Sequence, residues 1–330
     1  MFKGSNITTK RWISFGIKLA VFSFALWFIY RKLFFSQDIE QIRAYFLSVF
    51  RSSDSWASLA SVVLLMVCNW GLEAIKWRYL IRKVESVSFL QSFRAVFSGV
   101  TVSIYTPNRV GEYLGRVFYL NTADRIEAAL ITMIGSLAQL LITIVVGSLC
   151  FIPFIRLYSD IGTSSYLIYL VSFLVWVVIF LIVLAFLNTS FLTVLLKRIK
   201  PLQRFDKYLN VFSYYRTTEL LVVLLLSLAR YMVFTLQFFI LLRAFGVDTS
   251  VLEGVVLIPL NFLAMTAIPT IALTELLIRE SVALKFLGYA SENTLGIATT
   301  TFTLWVVNLA VPALAGGLLI FWIRIFRKNG

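Results

Sequence analysis

Six apolar runs, at roughly 12–35, 56–81, 126–154, 165–187, 218–245 and 294–323, are each long enough to carry a helix of about 20 residues across a bilayer. In hydrocarbon every backbone N–H and C=O must be satisfied within the chain, so such runs fold as helices. Two pairs of shorter apolar arms lie between them, 88–105 with 109–121 and 251–267 with 272–287. Each arm is marginal for crossing alone. Pro107 and Pro269 fall between the arms, and Gly99 and Pro259 are expected to interrupt the first arm of each pair, which favours broken or re-entrant hairpins over straight spans. The expected fold class is therefore an all-α integral membrane protein with about six transmembrane helices and two re-entrant helical hairpins. Composition agrees: 60 % of the residues are hydrophobic, 14 % are charged, and the mean hydropathy is +0.88. The N-terminal apolar stretch has a basic start but no small-residue cleavage site after it, and reads as a retained helix.

The formal net charge of +14 would point to nucleic acid in a soluble chain. Here the basic residues cluster between apolar runs, the pattern of loops on the cytoplasmic leaflet, and no nucleic-acid partner is expected. Lys3, Lys10 and Arg11 place the N-terminus inside, Arg324, Arg327 and Lys328 place the C-terminus inside, and the loop 188–217, with Lys197, Arg198, Lys200, Arg204, Lys207 and Arg216, is the strongest cytoplasmic signal. Six spans satisfy all three if each hairpin returns to its starting side. The first hairpin, after Arg78, Arg82 and Lys83, then enters from the cytoplasm, and the second, near Asp248, Glu253 and Glu292, from outside. The resulting single membrane domain, 1–330, has a first span at 12–35, one repeat at 56–154, a connecting span at 165–187 and an inverted repeat at 218–323.

Within both hairpins a Glu and an Arg stand four residues apart: Glu112 with Arg116, and Glu275 with Arg279. A charge at the centre of a bilayer costs roughly 2.5–3.5 kcal/mol on insertion scales, so such residues persist where they meet partners, water or a ligand. Two readings stay open. The pairs are either i,i+4 ion pairs that neutralise each other, or parts of an anion site in which two helix N-termini and Arg109, Arg116 and Arg279 converge near the midplane. Self-neutralisation leaves Arg109 and Glu280 unexplained. Arg230, about midway along its span, is either a partner for a carboxylate such as Glu112 or Glu280 or part of a lipid path. Glu73 and Arg94 lie nearer the cytoplasmic face, where ordinary solvation accounts for them. Asn69, Gln139, Gln237, Asn261 and Asn308 read as interhelical hydrogen-bond glue, and the abundant aromatics as packing or lipid-facing residues. The chain has no histidine, which excludes imidazole ligation and a histidine base. Cys68 and Cys150 lie in apolar runs and read as small core hydrophobes. No cofactor or metal site is expected.

These residues resemble the membrane region of lysylphosphatidylglycerol synthases, the flippase domain of the multiple peptide resistance factors. Pro107, Arg109, Gly111, Glu112 and Arg116 match the family's Pro-Gly-Arg-x-Gly-Glu run followed by Arg, with Asn108 where Gly is usual and Arg116 one residue later than is common. Arg279 and Glu280 match the second signature, where Ala272, Leu276 and Leu277 replace glycines, and Lys76-Trp77 is similar to an Arg-Trp at the end of the second span. An Arg and an Asp of many members are Ser136 and Gln139 here.

The resemblance implies transbilayer movement of a lipid with an anionic or aminoacylated headgroup, or of a polyprenyl lipid carrier, in a bacterial cytoplasmic membrane. Substrate-binding candidates are Arg109, Glu112, Arg116, Arg230, Glu275, Arg279 and Glu280. The larger members carry a soluble aminoacyl-transferase domain after this region; the sequence ends just after its last span, so no synthase activity is expected. A membrane transferase with Glu112 or Glu280 as base is the alternative, weakened by the absence of histidine, of a metal-ligand cluster and of a nucleotide loop. An accessory subunit of a lipid-synthesis complex is a third class. The sequence is compatible with a homo-oligomer. Transport would be passive or driven by an ion gradient.

Overall fold

The computed structural model describes residues 39–51, 53–104, 106, 109–158, 166–188, 198, 208, 210–268 and 272–322, with helical residues at 12, 13, 15, 16, 18–20, 22–24, 26, 27, 30 and 31. Part of the first apolar run, Pro107, Asn108, Pro269 and the basic residues Lys3, Lys10, Arg11, Lys197, Lys200, Arg204, Lys207, Arg324, Arg327 and Lys328 lie outside the described residues. The described residues form helices and no strand: α1 (Ile39–Val49), α2 (Ser53–Ile81), α3 (Phe89–Ser103), α4 (Gly111–Val117), α5 (Arg125–Leu149), α6 (Phe151–Tyr158), α7 (Tyr166–Leu187), α8 (Thr217–Ala244), α9 (Val251–Ala267), α10 (Ala272–Leu287), α11 (Thr294–Trp305) and α12 (Val311–Leu319). A π-helical turn, Val306–Ala310, joins the last two. Among the described residues five stretches are long and apolar enough to cross a membrane: Ser55–Ile81, Arg125–Tyr158, Ile168–Leu187, Thr217–Ala244 and Thr294–Leu319. The protein is an all-α membrane protein.

Helix starts follow local chemistry. Ser88 accepts from the Gln91 amide at the head of α3, Asp124 accepts from the Ile126 and Glu127 amides at the head of α5, and Ser250 with Glu253 forms a capping box on α9. Gly246, at φ +62°, makes the turn after α8 that a side chain would strain.

The short arms fold as two pairs, α3 with α4 and α9 with α10. Contrary to expectation, neither Gly99 nor Pro259 interrupts its helix. Gly99 serves the partner arm instead: a Cβ on Gly115 would stand 2.5 Å from the Gly99 Cα, and one on Gly111 2.5 Å from the Val102 carbonyl oxygen, so the arms lie antiparallel with their backbones touching. Pro259 is carried inside α9 and buried; a helix in lipid tolerates proline where neighbouring elements pack around it. Its carbonyl faces α5, where a Cβ on Gly147 would stand 3.0 Å from it.

Neighbouring helices hold the first hairpin. α12 packs on α3 through Thr101 Oγ1, which donates to the Ala313 carbonyl at 2.6 Å, and Tyr119 donates to the Leu319 carbonyl at 2.7 Å. α2 and α8 pack along their lengths, tied by Gln237 to the Val62 carbonyl at 2.9 Å and Tyr215 to the Leu80 carbonyl at 2.8 Å. The glue reading of Gln237 therefore holds. Of the cysteines, Cys150 is buried and Cys68 is exposed, so Cys68 is an outward-facing residue and not a core one.

Candidate functional site

The geometry starts on one face of α2. Asn69, Glu73 and Lys76, spaced by four and three residues, share that face, and all three are buried. Glu73 was expected near solvent. Instead it is an ionic hub: its carboxylate meets Lys76 Nζ, Arg116 Nη1 and Arg230 Nη1, each at 2.8 Å. Burial dictates this, because a carboxylate removed from water must be paired and hydrogen-bonded. Arg116 lies 2 % exposed and also pairs with Glu112 one turn earlier on α4. Arg230 comes from α8, where its Nε donates to Asn69 Oδ1 at 3.0 Å and its guanidinium lies 4.9 Å from the Trp70 ring centroid. The hub thus fastens the first hairpin to α2 and α8.

A second cluster joins the two hairpins. Glu275 on α10 accepts from Arg279 Nε at 2.9 Å and pairs with Arg109 at 2.5 Å. Arg109 precedes α4 and holds φ at +59°, a left-handed conformation uncommon for a side-chain-bearing residue and typical of ligand clamps and turns. The Glu275 side chain is 5 % exposed, whereas Arg109 and Arg279 are 36 % and 26 % exposed.

Between the clusters lies a cavity of about 540 Å³. Arg109, Arg230, Arg279 and Glu275 give it a charged side. Tyr231, Phe234, Phe238 and Phe262 give it an aromatic one, with Phe262 packed 5.8, 5.2 and 5.8 Å from the Tyr231, Phe234 and Phe238 rings. Five polar atoms on its lining residues are buried without a protein partner: Trp70 Nε1, Gln139 Oε1, Tyr231 Oη, Asn261 Oδ1 and Trp305 Nε1. Such atoms are costly unless something in the cavity hydrogen-bonds to them.

The expected site residues therefore divide. Arg109, Arg230, Glu275 and Arg279 are brought together around the cavity. Glu112 and Arg116 are not; they sit behind it, where Arg116 pairs with both Glu112 and Glu73. Glu280 is partly buried on α10 and is not part of the lining. Both i,i+4 pairs do form, and Arg230 does have a carboxylate partner, which is Glu73 and neither Glu112 nor Glu280. Asn69 bonds Asn308 across helices at 3.4 Å and Gln139 the Ser227 carbonyl at 3.2 Å, as glue residues should. Sequence reasoning missed Glu73, Lys76 and Trp70 as site residues. The spacing of Asn69, Glu73 and Lys76 along one face of an apolar helix was the signal that could have found them.

Outside the membrane spans, Glu85 closes the base of the first hairpin by accepting from the backbone N–H groups of Asn121, Thr122 and Ala123 at 2.8–3.0 Å. Burial works to raise its pKa, but these donors outweigh it and hold the carboxyl below the usual carboxylate value.

A family model described as the lysylphosphatidylglycerol synthase TM region matches residues 15–326. The chain belongs to this family. The match takes in both hairpins, both ion clusters and the cavity. No curated protein and no solved structure gives a significant match.

Proposed function

We propose that this protein is a lipid flippase: it moves a phospholipid with an anionic or aminoacylated headgroup, or a related polyprenyl lipid, between the leaflets of a bacterial cytoplasmic membrane without changing it chemically. The observation that carries this reading is a cavity within the span of the helices that is lined by three arginines, a carboxylate and a group of aromatic rings. A charged headgroup crosses hydrocarbon slowly because it must shed its water. Arg109, Arg230 and Arg279 replace that solvation with fixed donors, and the aromatic side accepts the apolar part of the lipid. Membership of a lipid-related membrane family supports the same substrate class.

The reading includes six spans, both termini in the cytoplasm and hairpins of opposite entry side, tested by cysteine labelling. Strong labelling of position 108 from outside alone, or of the loop 197–207 from outside, contradicts it. The function is tested in liposomes. Purified protein accelerates exchange of labelled phosphatidylglycerol, aminoacyl-phosphatidylglycerol or a polyprenyl phosphate between leaflets, and the Arg109→Gln and Arg279→Gln variants do not. Equal rates for wild type, variants and empty liposomes across the three lipids refute it. Chemical conversion of a lipid replaces it with a transferase.

A further inference from the structure

The first ion cluster holds one group whose chemistry the headgroup reading leaves unused. Lys76 is buried, pairs with Glu73 at 2.8 Å, and donates to Ser227 Oγ on α8 at 3.4 Å. Among the described residues, its charged neighbours come from three helices. On its own helix there is Glu73; from α4 come Arg116 and, behind it, Glu112; from α8 comes Arg230. α5 turns the uncharged Gly135 toward its stem.

The ion pairs of this cluster join two carboxylates, Glu73 and Glu112, to three cations, Lys76, Arg116 and Arg230. A guanidinium does not lose its proton in a protein, so Lys76 is the cation here able to do so. With Lys76 neutral, Arg230 balances Glu73 and Arg116 balances Glu112. With Lys76 charged, one positive charge is in excess in a low-dielectric place, and an anion beside Arg230 compensates it. Arg230 is the member of the cluster that lines the cavity.

We propose that Lys76 is a coupling-proton site: the ammonium form accompanies an anionic headgroup in the cavity, and the neutral amine accompanies the empty cavity. This rests on the flippase reading. On release the proton passes from Nζ to water and the nitrogen keeps its electron pair; the Ser227 hydroxyl, which can donate as well as accept, then turns to donate to it. Linkage makes the effect reciprocal, so acid tightens anion binding and anion binding draws in a proton. A singly charged anionic headgroup and this proton together carry no net charge, and the membrane potential does no work on the pair.

The test uses the whole protein in two measurements. In liposomes containing labelled phosphatidylglycerol, flipping by wild type falls about tenfold from acid to alkaline pH, within the range usual for two linked sites. Lys76→Arg, which cannot neutralise, flips with no such dependence, and Lys76→Met, which cannot charge, stays at the alkaline rate at all pH while remaining monodisperse by gel filtration. In weakly buffered detergent solution, glycerol phosphate or short-chain phosphatidylglycerol added to wild type draws in protons, and added to Lys76→Met does not; comparing the two probes separates binding of a free phosphate from binding of a lipid. Flipping by wild type that is independent of pH, or a wild-type pH profile in Lys76→Met, overturns the proton site and leaves the flippase intact. Absence of flipping by wild type overturns the flippase, and proton uptake on probe binding then decides the proton site by itself.

Discussion

The two hairpins carry the same sequence device, a Glu followed four residues later by an Arg, and the structure uses it in opposite ways. In the first, Arg116 is sealed at 2 % exposure and its charge is spent on Glu73 and Glu112. In the second, Glu275 is the sealed member, and both of its arginines remain partly open to a cavity. An i,i+4 pair fixes only that two charges share a helix face. Which of the two is left accessible depends on what lies opposite: a buried carboxylate on α2 in one case, the space between helices in the other. The first hairpin's pair is a fastening and the second hairpin's pair is a surface.

The sharpest way to break this contrast is to remove each hub carboxylate in turn. Glu73→Gln leaves the buried Lys76 and Arg116 and the half-buried Arg230 with one fewer negative charge, and removal of one partner from a buried ion pair costs about 3–5 kcal/mol. Thermal unfolding in detergent should register a large loss for Glu73→Gln and a smaller one for Glu275→Gln, whose arginines reach the cavity. Equal losses would erase the distinction.

Activity should divide the arginines the other way. Arg109→Gln and Arg279→Gln are expected to abolish lipid movement with little effect on unfolding temperature, and Arg116→Gln to lose both together. Within the pair that lines the cavity, Arg279→Lys should be partly active, because an ammonium keeps the charge but loses the two-pronged contact with phosphate. Flip assays on protein of checked stability separate these outcomes.

A smaller effect is expected at the seam of the first hairpin. Gly115→Ala puts a methyl group against the Gly99 backbone, and overpacking of this kind costs about 1–3 kcal/mol. The equivalent change at Gly71, where an added Cβ meets nothing within 4 Å, should be close to neutral in the same unfolding assay.

The smallest expected effect is at Glu85. Its folded-state pKa is lowered, so its contribution to stability is complete above the unfolded-state value and is lost as pH falls through the folded-state value. Glu85→Gln should flatten the acid limb of the stability profile and leave the alkaline limb unchanged. An unaltered acid limb would show that the backbone contacts at the hairpin base do not depend on the carboxylate charge.

The helical frame was legible in the sequence because long apolar runs leave the backbone one way to satisfy itself. The short arms were legible too: 88–105 and 251–267 contain Phe89–Ser103 and Val251–Ala267 as uninterrupted helices. Gly99 and Pro259 do not break their helices because a neighbour overrides local propensity at each: one makes room for Gly115, and the other is buried among surrounding helices. Within the candidate site, Arg109, Arg230, Glu275 and Arg279 stood out as charges in hydrocarbon. Glu73 did not, because its place in the sequence put it near a membrane face, while its burial is decided by Arg116 and Arg230, which are 43 and 157 residues away. Distance along the chain hides a partner that charge balance would demand.

The contact between Gly99 and Gly115 has a consequence for traffic through the molecule. Where two backbones touch there is no room for a methylene group, so no acyl chain can slip between the arms of the first hairpin. That hairpin is a bulkhead. Under the flippase activity proposed above, a lipid tail that follows its headgroup would travel along a seam other than this one.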